Sequence, residues 1–361
     1  MKNTFGNHIS VTLFGESHGS AIGAVLDGMA PGLAVDESFI AEILSRRRPV
    51  GAISTARQEK DAFSIVSGVF NGKTTGTPIC ILIPNADTRS GDYSQMRSAP
   101  RPSHADFTAQ CKYHGFQDYR GGGHFSGRLT AALCAAGAIC LSALNKKGIH
   151  IATHIQQISS VCDREFEDLE ADMQKLNRLD FAVLDESKKE QMLTAITNAK
   201  ADGDSVGGIL ETAVTGLPAG VGEPWFDSIE SLLSHALFSI PAIKGVEFGA
   251  GFSIASMRGS EANDAFYAEN GQIKTKTNHA GGINGGITNG MPILFRCAVR
   301  PTPTIGKPQE TVDLQTGENT TLAAKGRHDP CIVHRARIVV DCMTAITLCD
   351  ILAGRYGVDW L

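Results

Sequence analysis

Short runs of alternating or apolar residues recur along the chain and predict β-strands. The runs cover residues 9–14, 62–67, 78–84, 208–215, 251–257 and 291–299. A longer apolar run over residues 127–147 predicts an α-helix that ends at Gly148. Because that run is apolar on almost every side, the helix should lie in the core. Its continuous apolar part, about 15 residues, is too short to span a bilayer.

Other helices are predicted by the residues at their ends, where capping side chains, proline or glycine stand at suitable distances. These helices begin and end near Asp36 and Pro49, Ser187 and Gly203, Asp227 and Leu237, and Asp341 and Tyr356. Strands often follow one another without a helix between them, which predicts an α+β fold rather than a doubly wound parallel sheet. No repeat or flexible linker divides the chain, so we expect a single domain over residues 1–361.

Charge is unevenly distributed. The formal net charge is −5, and residues 163–190 account for all of it with ten acidic and five basic side chains. We expect segment 163–190 to be an acidic surface insertion in contact with solvent. An acidic chain is also not expected to bind nucleic acid.

Nine cysteines occur without any CxxC pair, and several lie in apolar runs. This usage is typical of reduced, buried thiols in a cytoplasmic protein rather than of a disulfide framework. The N-terminal residues MKNTFGNHIS contain no apolar stretch of the kind found in a signal peptide. The sequence therefore predicts a cytoplasmic protein that does not bind a membrane.

Glycine is abundant, with 39 residues, and much of it stands beside titratable side chains. The motif GESHG at 15–19 follows a predicted strand and matches the nucleophile elbow of serine hydrolases. No helix is predicted after it, which disfavours an elbow. Two interpretations stay open: a purely structural turn, and a tight turn that presents Ser17 as an anion contact and His18 as a proton donor.

Arginines stand beside other glycine-rich motifs. The motif RRRP at 46–49 ends a predicted helix, where cations suit the helix dipole, but three arginines in a row also suit a polyanion. The motifs RPSHAD at 101–106 and RGGGHFSGR at 120–128 are also basic, and glycines before a buried helix suit a phosphate-binding backbone. The absence of Walker A and Rossmann fingerprints excludes a nucleoside triphosphatase and a dinucleotide-binding fold.

Two more motifs, NHAGGINGG at 278–286 and KGRHDP at 325–330, lie near the C-terminus. A metal site there would have to use His328, Asp329, Cys331 and His334. Their spacing matches no standard zinc pattern, so we expect no metal.

Together and in this order, these motifs resemble the chorismate synthase family. The matching blocks are GESHG, RRRP, RPSHAD, DYRGGG, GDSVGG, KGVEFG, NHAGGINGG and KGRHDP. They extend from about Phe5 to the final helix, essentially the whole chain. Each block alone is weak evidence, but eight in register argue against chance.

The resemblance implies a reaction, a cofactor and an assembly. Members convert 5-enolpyruvylshikimate 3-phosphate to chorismate and phosphate by a 1,4-elimination, which requires reduced FMN without net redox change. Members form homotetramers of β-α-β sandwiches, with helices packed between antiparallel sheets. Some members reduce their own flavin with NADPH. Because this chain has no dinucleotide fingerprint, we expect an external flavin reductase.

Three catalytic roles also follow from the resemblance. His18 matches the histidine that protonates the departing phosphate. His104 matches the histidine that stabilises the reduced flavin near its N1 atom, and Asp329 matches the acid that works with flavin N5 in removing the C6 proton.

The binding residues implied by the resemblance fall into two groups. The substrate-binding positions are Ser17, Arg47, Arg48, Arg101, Ser126 and Arg128. The FMN-binding positions are His124, Phe125, Ser126, Ala242, Gly285, Arg300, Pro301, Thr302, Pro303, Thr304 and Arg327.

This chain departs from the family pattern at a few flavin-binding positions. His124 and Phe125 stand where many members have Arg and Ser, and Pro241 stands where Asn is frequent. Arg300 replaces a common Lys. These changes predict an altered flavin contact, and they leave a non-catalytic flavin- or phosphate-binding paralogue open as the alternative.

Overall fold

The computed structural model describes residues 2–49, 51–54, 59–86, 98–323 and 329–361. The strands in chain order are β1 (Thr4–Phe5), β2 (Ser10–Gly15), β3 (Ala21–Asp27), β4 (Ser64–Ser67), β5 (Val69–Phe70), β6 (Lys73–Thr74), β7 (Ile79–Pro84), β8 (His150–Ile158), β9 (Val161–Cys162), β10 (Gly208–Thr215), β11 (Ile243–Phe248), β12 (Phe266–Glu269), β13 (Gln272–Thr275), β14 (Ile283–Asn284), β15 (Ile287–Thr288), β16 (Ile293–Val299), β17 (Gln309–Val312) and β18 (Asn319–Leu322). The helices are α1 (Glu37–Arg47), α2 (Asp106–Tyr113), α3 (Thr130–Lys146), α4 (Leu169–Leu176), α5 (Glu186–Ala201), α6 (Ile229–Ser239), α7 (Gly259–Ala262) and α8 (Val333–Tyr356).

Two five-stranded sheets form the outer layers of the fold. The first has the order β1-β2-β3-β7-β4 and the second has the order β11-β16-β10-β8-β9. Neighbouring strands in both sheets are antiparallel. Short hairpins, such as β14-β15 and β17-β18, project from this frame.

Helices α3 and α8 fill the space between the sheets. Helix α3 contacts β2, β3 and β7 of the first sheet and β8 of the second, while α8 contacts β8 and β10. The two helices also pack against each other very closely, because a Cβ atom at Gly137 would lie only 2.4 Å from the Cβ of Cys342. The prediction of an α+β fold with helices between antiparallel sheets is therefore confirmed.

The predicted apolar helix is the centre of this core. Residues Gly127–Lys146 are long and apolar enough to cross a membrane by length and composition alone. This stretch of 20 residues is longer than the continuous apolar run identified in the sequence. However, 83% of that window is buried inside the protein. The segment is therefore a core helix that packs against other protein elements.

Two helix starts differ from the sequence prediction. Helix α5 is capped by Asp185, which accepts the amide of Ser187 at 2.9 Å, so Ser187 is not the cap. Helix α6 is capped by Ser228, which accepts the amide of Ser231 at 3.1 Å, rather than by Asp227. In both places neighbouring polar residues could serve as a cap, and the path of the preceding chain selects one of them.

Two further predictions are wrong in extent or type. Helix α8 begins at Val333, well before Asp341, because Asp341 is buried and accepts a hydrogen bond from Thr153 of β8 at 2.5 Å instead of capping a helix. The strand predicted at 251–257 is a 3₁₀ turn over Gly251–Ser256. Its apolar side chain Phe252 is 85% exposed, so the apolar letters there mark a surface and not a buried strand.

Segment 163–190 is only partly in contact with solvent. Its apolar residues cover the outer face of the second sheet in a buried cluster formed by Met173, Leu176, Ala182 and Leu184 with Ala152 and Ala213. The side chain of Asp163 is buried as well and pairs with His154 of β8 at 3.1 Å. This differs from the surface insertion that the charge pattern predicted, because a segment rich in charge can still present an apolar stripe to a sheet.

Candidate active site

A cavity of about 1080 Å³ lies where the ends of α1 and α6 and the start of α8 meet the glycine-rich segment 120–128. One wall is apolar and includes Val11, Leu133 and Met343. The lining is also basic, with five arginines: Arg47, Arg101, Arg128, Arg300 and Arg335. Pockets for a single small molecule have volumes of about 300–1000 Å³, so this cavity has room for a cofactor and a substrate together.

Most of the residues named from the family resemblance line this one cavity. They are Arg47, Arg101, His104, His124, Phe125, Ser126, Arg128, Ala242, Arg300, Thr302, Pro303, Thr304 and Asp329. The fold therefore brings together side chains from α1, the loops before α2 and α3, the end of β16 and the start of α8.

Three predicted residues that the structure describes, Arg48, Pro301 and Gly285, are not part of the cavity lining. Arg48 is partly exposed, donates to the carbonyl of Lys60 and lies at the end of α1. Pro301 lies between two lining residues, and Gly285 lies in the exposed turn between β14 and β15. Arg327 lies outside the described residues. The roles of these residues stay predictions.

Ser17 and His18 lie behind the glycine triplet that precedes α3. Both are buried, in the turn between β2 and β3. A Cβ atom at Gly121 would lie 2.1 Å from the ring of His18, and a Cβ at Gly122 would lie 3.3 Å from the ring of His104. The backbone φ angles of Gly121 and Gly122 are +60° and +84°, which other residues rarely adopt. The triplet therefore separates the two predicted catalytic histidines and contacts both.

On the His18 side, Arg120 holds a carboxylate. Its amide, Nε and Nη2 atoms donate to Asp118 at 3.0, 2.8 and 2.8 Å. These hydrogen bonds lower the pKa of Asp118, and the charge of the nearby His18 contributes in the same direction. His18 therefore lies in the field of a fixed negative charge.

On the His104 side, Arg101 holds a second carboxylate. Its amide, Nε and Nη2 atoms donate to Asp106 at 3.0, 2.7 and 2.7 Å. The Nδ1 atom of His104 is 2.7 Å from the same carboxylate. Burial alone would raise the pKa of Asp106, but hydrogen bonds and charge from Arg101 and His104 lower it far below its ordinary value. Arg101 also donates to Thr304 at 3.2 Å, which connects this cluster to the predicted flavin-binding segment.

Three predicted substrate-binding arginines, Arg47, Arg48 and Arg128, lie within ion-pair distance of a carboxylate that the sequence analysis missed, Asp61. Arg47 donates to Asp61 at 3.2 Å, and Arg128 donates to the other oxygen of that carboxylate. Burial would raise the pKa of Asp61, but the charges of Arg47 and Arg128 lower it. Asp61 belongs to none of the glycine-rich motifs, so no signal in the sequence separates it from an ordinary surface acid.

The predicted acid Asp329 is also held by residues from two elements. Arg335 donates to its carboxylate at 2.5 Å and to the backbone carbonyl of Arg47 at 2.9 Å. Thr302 donates to the backbone carbonyl of Asp329 at 2.6 Å. Arg335 was missed because the final helix was predicted to begin at Asp341. A start at Val333 would have placed Arg335 in the first turn, close to Asp329.

The donor set of the cavity suits a flavin and an acidic substrate. The apolar wall can contact a flat aromatic ring system, while the arginines can bind phosphate and carboxylates. The amide of Arg300 donates to the carbonyl of Ala242 at 3.0 Å, which connects two lining residues near the ends of β16 and β11. Among the residues that the structure describes, no group of three or more His, Cys, Asp or Glu side chains could hold a metal ion.

Comparisons with known proteins agree with this arrangement. A family model described as chorismate synthase matches residues 9–353. Chorismate synthase of Thermococcus gammatolerans is 47% identical over 352 residues, which is 97% of each chain. That of Aeropyrum pernix is 46% identical and covers 100% of this chain and 96% of its own length. A crystal structure of chorismate synthase superposes with a TM-score of 0.76 at 30% identity, covering 98% of this chain and 94% of the other. The chain therefore belongs to the chorismate synthase family of phosphate-eliminating lyases.

Proposed function

We propose that this cavity is the site where the chain converts 5-enolpyruvylshikimate 3-phosphate to chorismate and phosphate with the help of reduced FMN. One observation carries the proposal: His104 and Asp329 line a single arginine-rich cavity, and His18 adjoins it directly behind Gly121. Neither a flavin-free esterase nor a metal enzyme requires this combination.

The arginines bind the anionic groups of the substrate. The substrate carries a phosphate and two carboxylates, and burying such charges without cations would be strongly unfavourable. Arg47 and Arg128 are already fixed by Asp61, and Arg101 is fixed by Asp106. Because these side chains are ordered before the substrate arrives, binding loses less conformational entropy.

The flavin would be held by the predicted FMN-binding residues that line the cavity. These are His124, Phe125, Ser126, Ala242, Arg300, Thr302, Pro303 and Thr304. When bound, the reduced flavin supplies electron density to the C–O bond that breaks and recovers it when the product forms. Phe125 contributes an aromatic ring to this side, in edge-to-face contact with Tyr113 at 6.0 Å between ring centroids.

Two residues move the protons of the elimination. Asp329 accepts the proton from C6, the C–H electron pair forms a double bond to the neighbouring ring carbon, and the existing ring double bond shifts to C3. The C3–O bond then breaks with its electron pair on the phosphate, which His18 protonates as a general acid. Arg335 holds the Asp329 carboxylate in place, and Asp118 places a negative charge near His18.

We also propose that the chain works as a homotetramer in the cytoplasm and receives reduced flavin from an external reductase. Several large apolar side chains are exposed and available for subunit contacts, among them Phe252, Phe266 and Ile273. All nine cysteines are free thiols, which fits a reducing compartment. Light scattering on the purified protein checks the assembly, and a monomer mass would contradict it.

An anaerobic phosphate-release assay tests the function. The protein is supplied with photoreduced FMN and 5-enolpyruvylshikimate 3-phosphate, and wild type is compared with His18→Ala and Asp329→Asn. We expect each variant to lose about 10²–10⁴-fold in rate, the usual contribution of a positioned acid or base. His150→Ala is a matched control, since His150 is exposed on β8 and bonded only to Asn145 among the contacts described.

The departures at His124 and Phe125 are the observation that favours the alternative, a flavin-binding paralogue without lyase activity. Wild-type protein that binds FMN tightly and releases no phosphate would support that alternative. Full rates in both variants would show instead that the catalytic roles are assigned to the wrong residues.

A further inference from the structure

We propose that Asp106 is a positioning residue that keeps the imidazole proton of His104 on Nδ1 and so presents Nε2 to the cavity. The role of Nε2 beside the flavin or substrate rests on the proposed function. The location of the proton itself is a property of the protein alone.

The contacts around Nδ1 determine which partner it has. The Nδ1 atom is 2.7 Å from the Oδ1 atom of Asp106 and 3.0 Å from the Nη2 atom of Arg101. A carboxylate can only accept and a guanidinium can only donate. The same Nη2 donates to Oδ1 of Asp106 at 2.7 Å. A bare Nδ1 would place its lone pair against a carboxylate oxygen at the shorter of the two distances, so the proton belongs on Nδ1.

Asp106 cannot turn away from this contact. Three hydrogen bonds from Arg101 fix both carboxylate oxygens, and the side chains of Arg101 and Asp106 are only 6% and 13% exposed. The strongly lowered pKa of Asp106 means that the carboxylate stays ionised over the working range of an enzyme. On another side, the position that a Cβ atom would take at Gly122 lies only 3.3 Å from Cε1 of His104. The imidazole is therefore held in one orientation.

With Nδ1 occupied, Nε2 is the ring nitrogen left for the bound molecules. It accepts a hydrogen bond when the ring is neutral and donates one when the ring is charged. The carboxylate in a serine protease triad holds its histidine in the same way, and replacing it by Asn lowers kcat about 10⁴-fold because the wrong tautomer forms.

Asp106→Asn is the informative change. The Arg101 donors would attract the amide oxygen of the new side chain, so its NH₂ group would face His104 and donate to Nδ1. The imidazole proton would then move to Nε2, which removes the acceptor from the cavity. Asp106→Glu keeps a carboxylate and should keep the proton on Nδ1.

The tautomer is measured by solid-state ¹⁵N spectra of histidine-labelled protein without flavin, and the His104 signals are identified by their absence in His104→Gln. We expect the Nδ1–H form in wild type and the Nε2–H form in Asp106→Asn. Asp118→Asn removes a carboxylate with the same arginine contacts but beside His18, and it should leave the His104 signals in place. An Nε2–H form in wild type, or an unchanged tautomer in Asp106→Asn, would overturn the proposal.

A kinetic measurement separates positioning from a merely structural role. We expect kcat of Asp106→Asn to fall at least about 10²-fold, while Asp106→Glu recovers part of the rate. If Asp106→Asn does not fold, Asp106→Glu decides the question, since loss of the Nδ1–H form there contradicts the proposal. Wild-type protein without lyase activity would refute the proposed function. The tautomer of His104 would still be decided by the ¹⁵N spectra, which do not depend on activity.

Discussion

The two predicted catalytic histidines lie on opposite sides of one glycine triplet, and each has an aspartate held by an arginine. In both clusters the arginine uses its amide, Nε and Nη2 atoms on a single carboxylate. The Arg101–Asp106 pair is buried, with side-chain exposures of 6% and 13%, whereas Arg120 and Asp118 are 41% and 19% exposed. His104 contacts its aspartate directly, while the influence of Asp118 on His18 acts through charge.

This difference follows from how each cluster is assembled. Arg101, His104 and Asp106 lie within six consecutive residues, so one loop builds the whole cluster. His18 instead comes from the β2–β3 turn and meets Asp118 only because the triplet allows close approach. The cluster of Arg101, His104 and Asp106 can therefore set the tautomer of its histidine. The approach of His18 to Asp118 depends on the glycine triplet.

The largest expected effect comes from exchanging glycines in the triplet. Gly121→Ala and Gly122→Ala share the penalty of a positive φ, roughly 1–2 kcal/mol. Only Gly121→Ala places a methyl group 2.1 Å from the His18 ring, compared with 3.3 Å from His104 at Gly122. We expect kcat for phosphate release to fall about 10²-fold or more in Gly121→Ala and much less in Gly122→Ala. Equal losses in both variants would show that backbone strain alone is responsible.

The two carboxylates should also differ in their effect on stability. Asp106→Asn removes the negative charge that compensates the buried Arg101 and should lower the free energy of unfolding by about 3 kcal/mol. Asp118→Asn breaks the more exposed pair and should lower it by at most about 1 kcal/mol. Urea unfolding followed by circular dichroism measures both values. Equal values would mean that burial does not distinguish the two pairs.

Acid should reduce the stability difference between wild type and Asp106→Asn. Because the pKa of Asp106 is lowered in the native state from an ordinary value of 3.8, its contribution to stability is present above that value and is lost as the pH falls below it. Each pH unit in which only the unfolded chain binds the proton lowers stability by about 1.4 kcal/mol. The difference in free energy of unfolding between wild type and Asp106→Asn, measured by urea titration, should therefore narrow between about pH 4 and pH 3. A constant difference would contradict the assignment.

The smallest expected effects concern His124 and Phe125, two of the residues that depart from the family pattern. The Nδ1 atom of His124 is 2.9 Å from the carbonyl of Gly15, on the His18 side, whereas Phe125 packs against Tyr113. We expect Phe125→Ala to weaken FMN binding about 2–10-fold, the range for an aromatic contact. His124→Ala should change the rate of phosphate release more than the FMN affinity. Fluorescence titration measures the FMN affinity, and the anaerobic assay measures the rate of phosphate release. A larger loss of affinity in His124→Ala, with a larger loss of rate in Phe125→Ala, would contradict this assignment.

The sequence predicted the fold class, the central helix and thirteen of the residues that line the cavity. The helix was visible because α3 is apolar on all sides, and the cavity residues were visible because glycine and arginine recur in short motifs. Helix starts failed where two polar residues compete for the cap, as at Asp185 and Ser187. The choice depends on tertiary contacts that no local pattern contains.

The residues that hold the catalytic side chains were harder to predict than those side chains themselves. Asp61 contacts Arg128, which is 67 residues away, and Arg335 contacts the backbone of Arg47, which is 288 residues away, although its bond to Asp329 is local. Arg335 also lies in the first turns of α8, where charged residues made a buried helix difficult to predict. Long-range pairing of this kind depends on the completed fold, so a single sequence carries little signal for it.

The close packing of α3 and α8 has a consequence for the chemistry of the interior. The thiols of Cys342 and Cys349 lie in this contact, 3.7 and 3.8 Å from carbonyls of α3, and burial raises their pKa well above the ordinary value. Cys111 and Cys162, by contrast, are exposed. Since only thiolates react quickly, an alkylating reagent consumes the surface thiols first and reaches the inner ones only when the two helices separate. The rate at which the inner thiols disappear therefore records how often the centre of the protein opens.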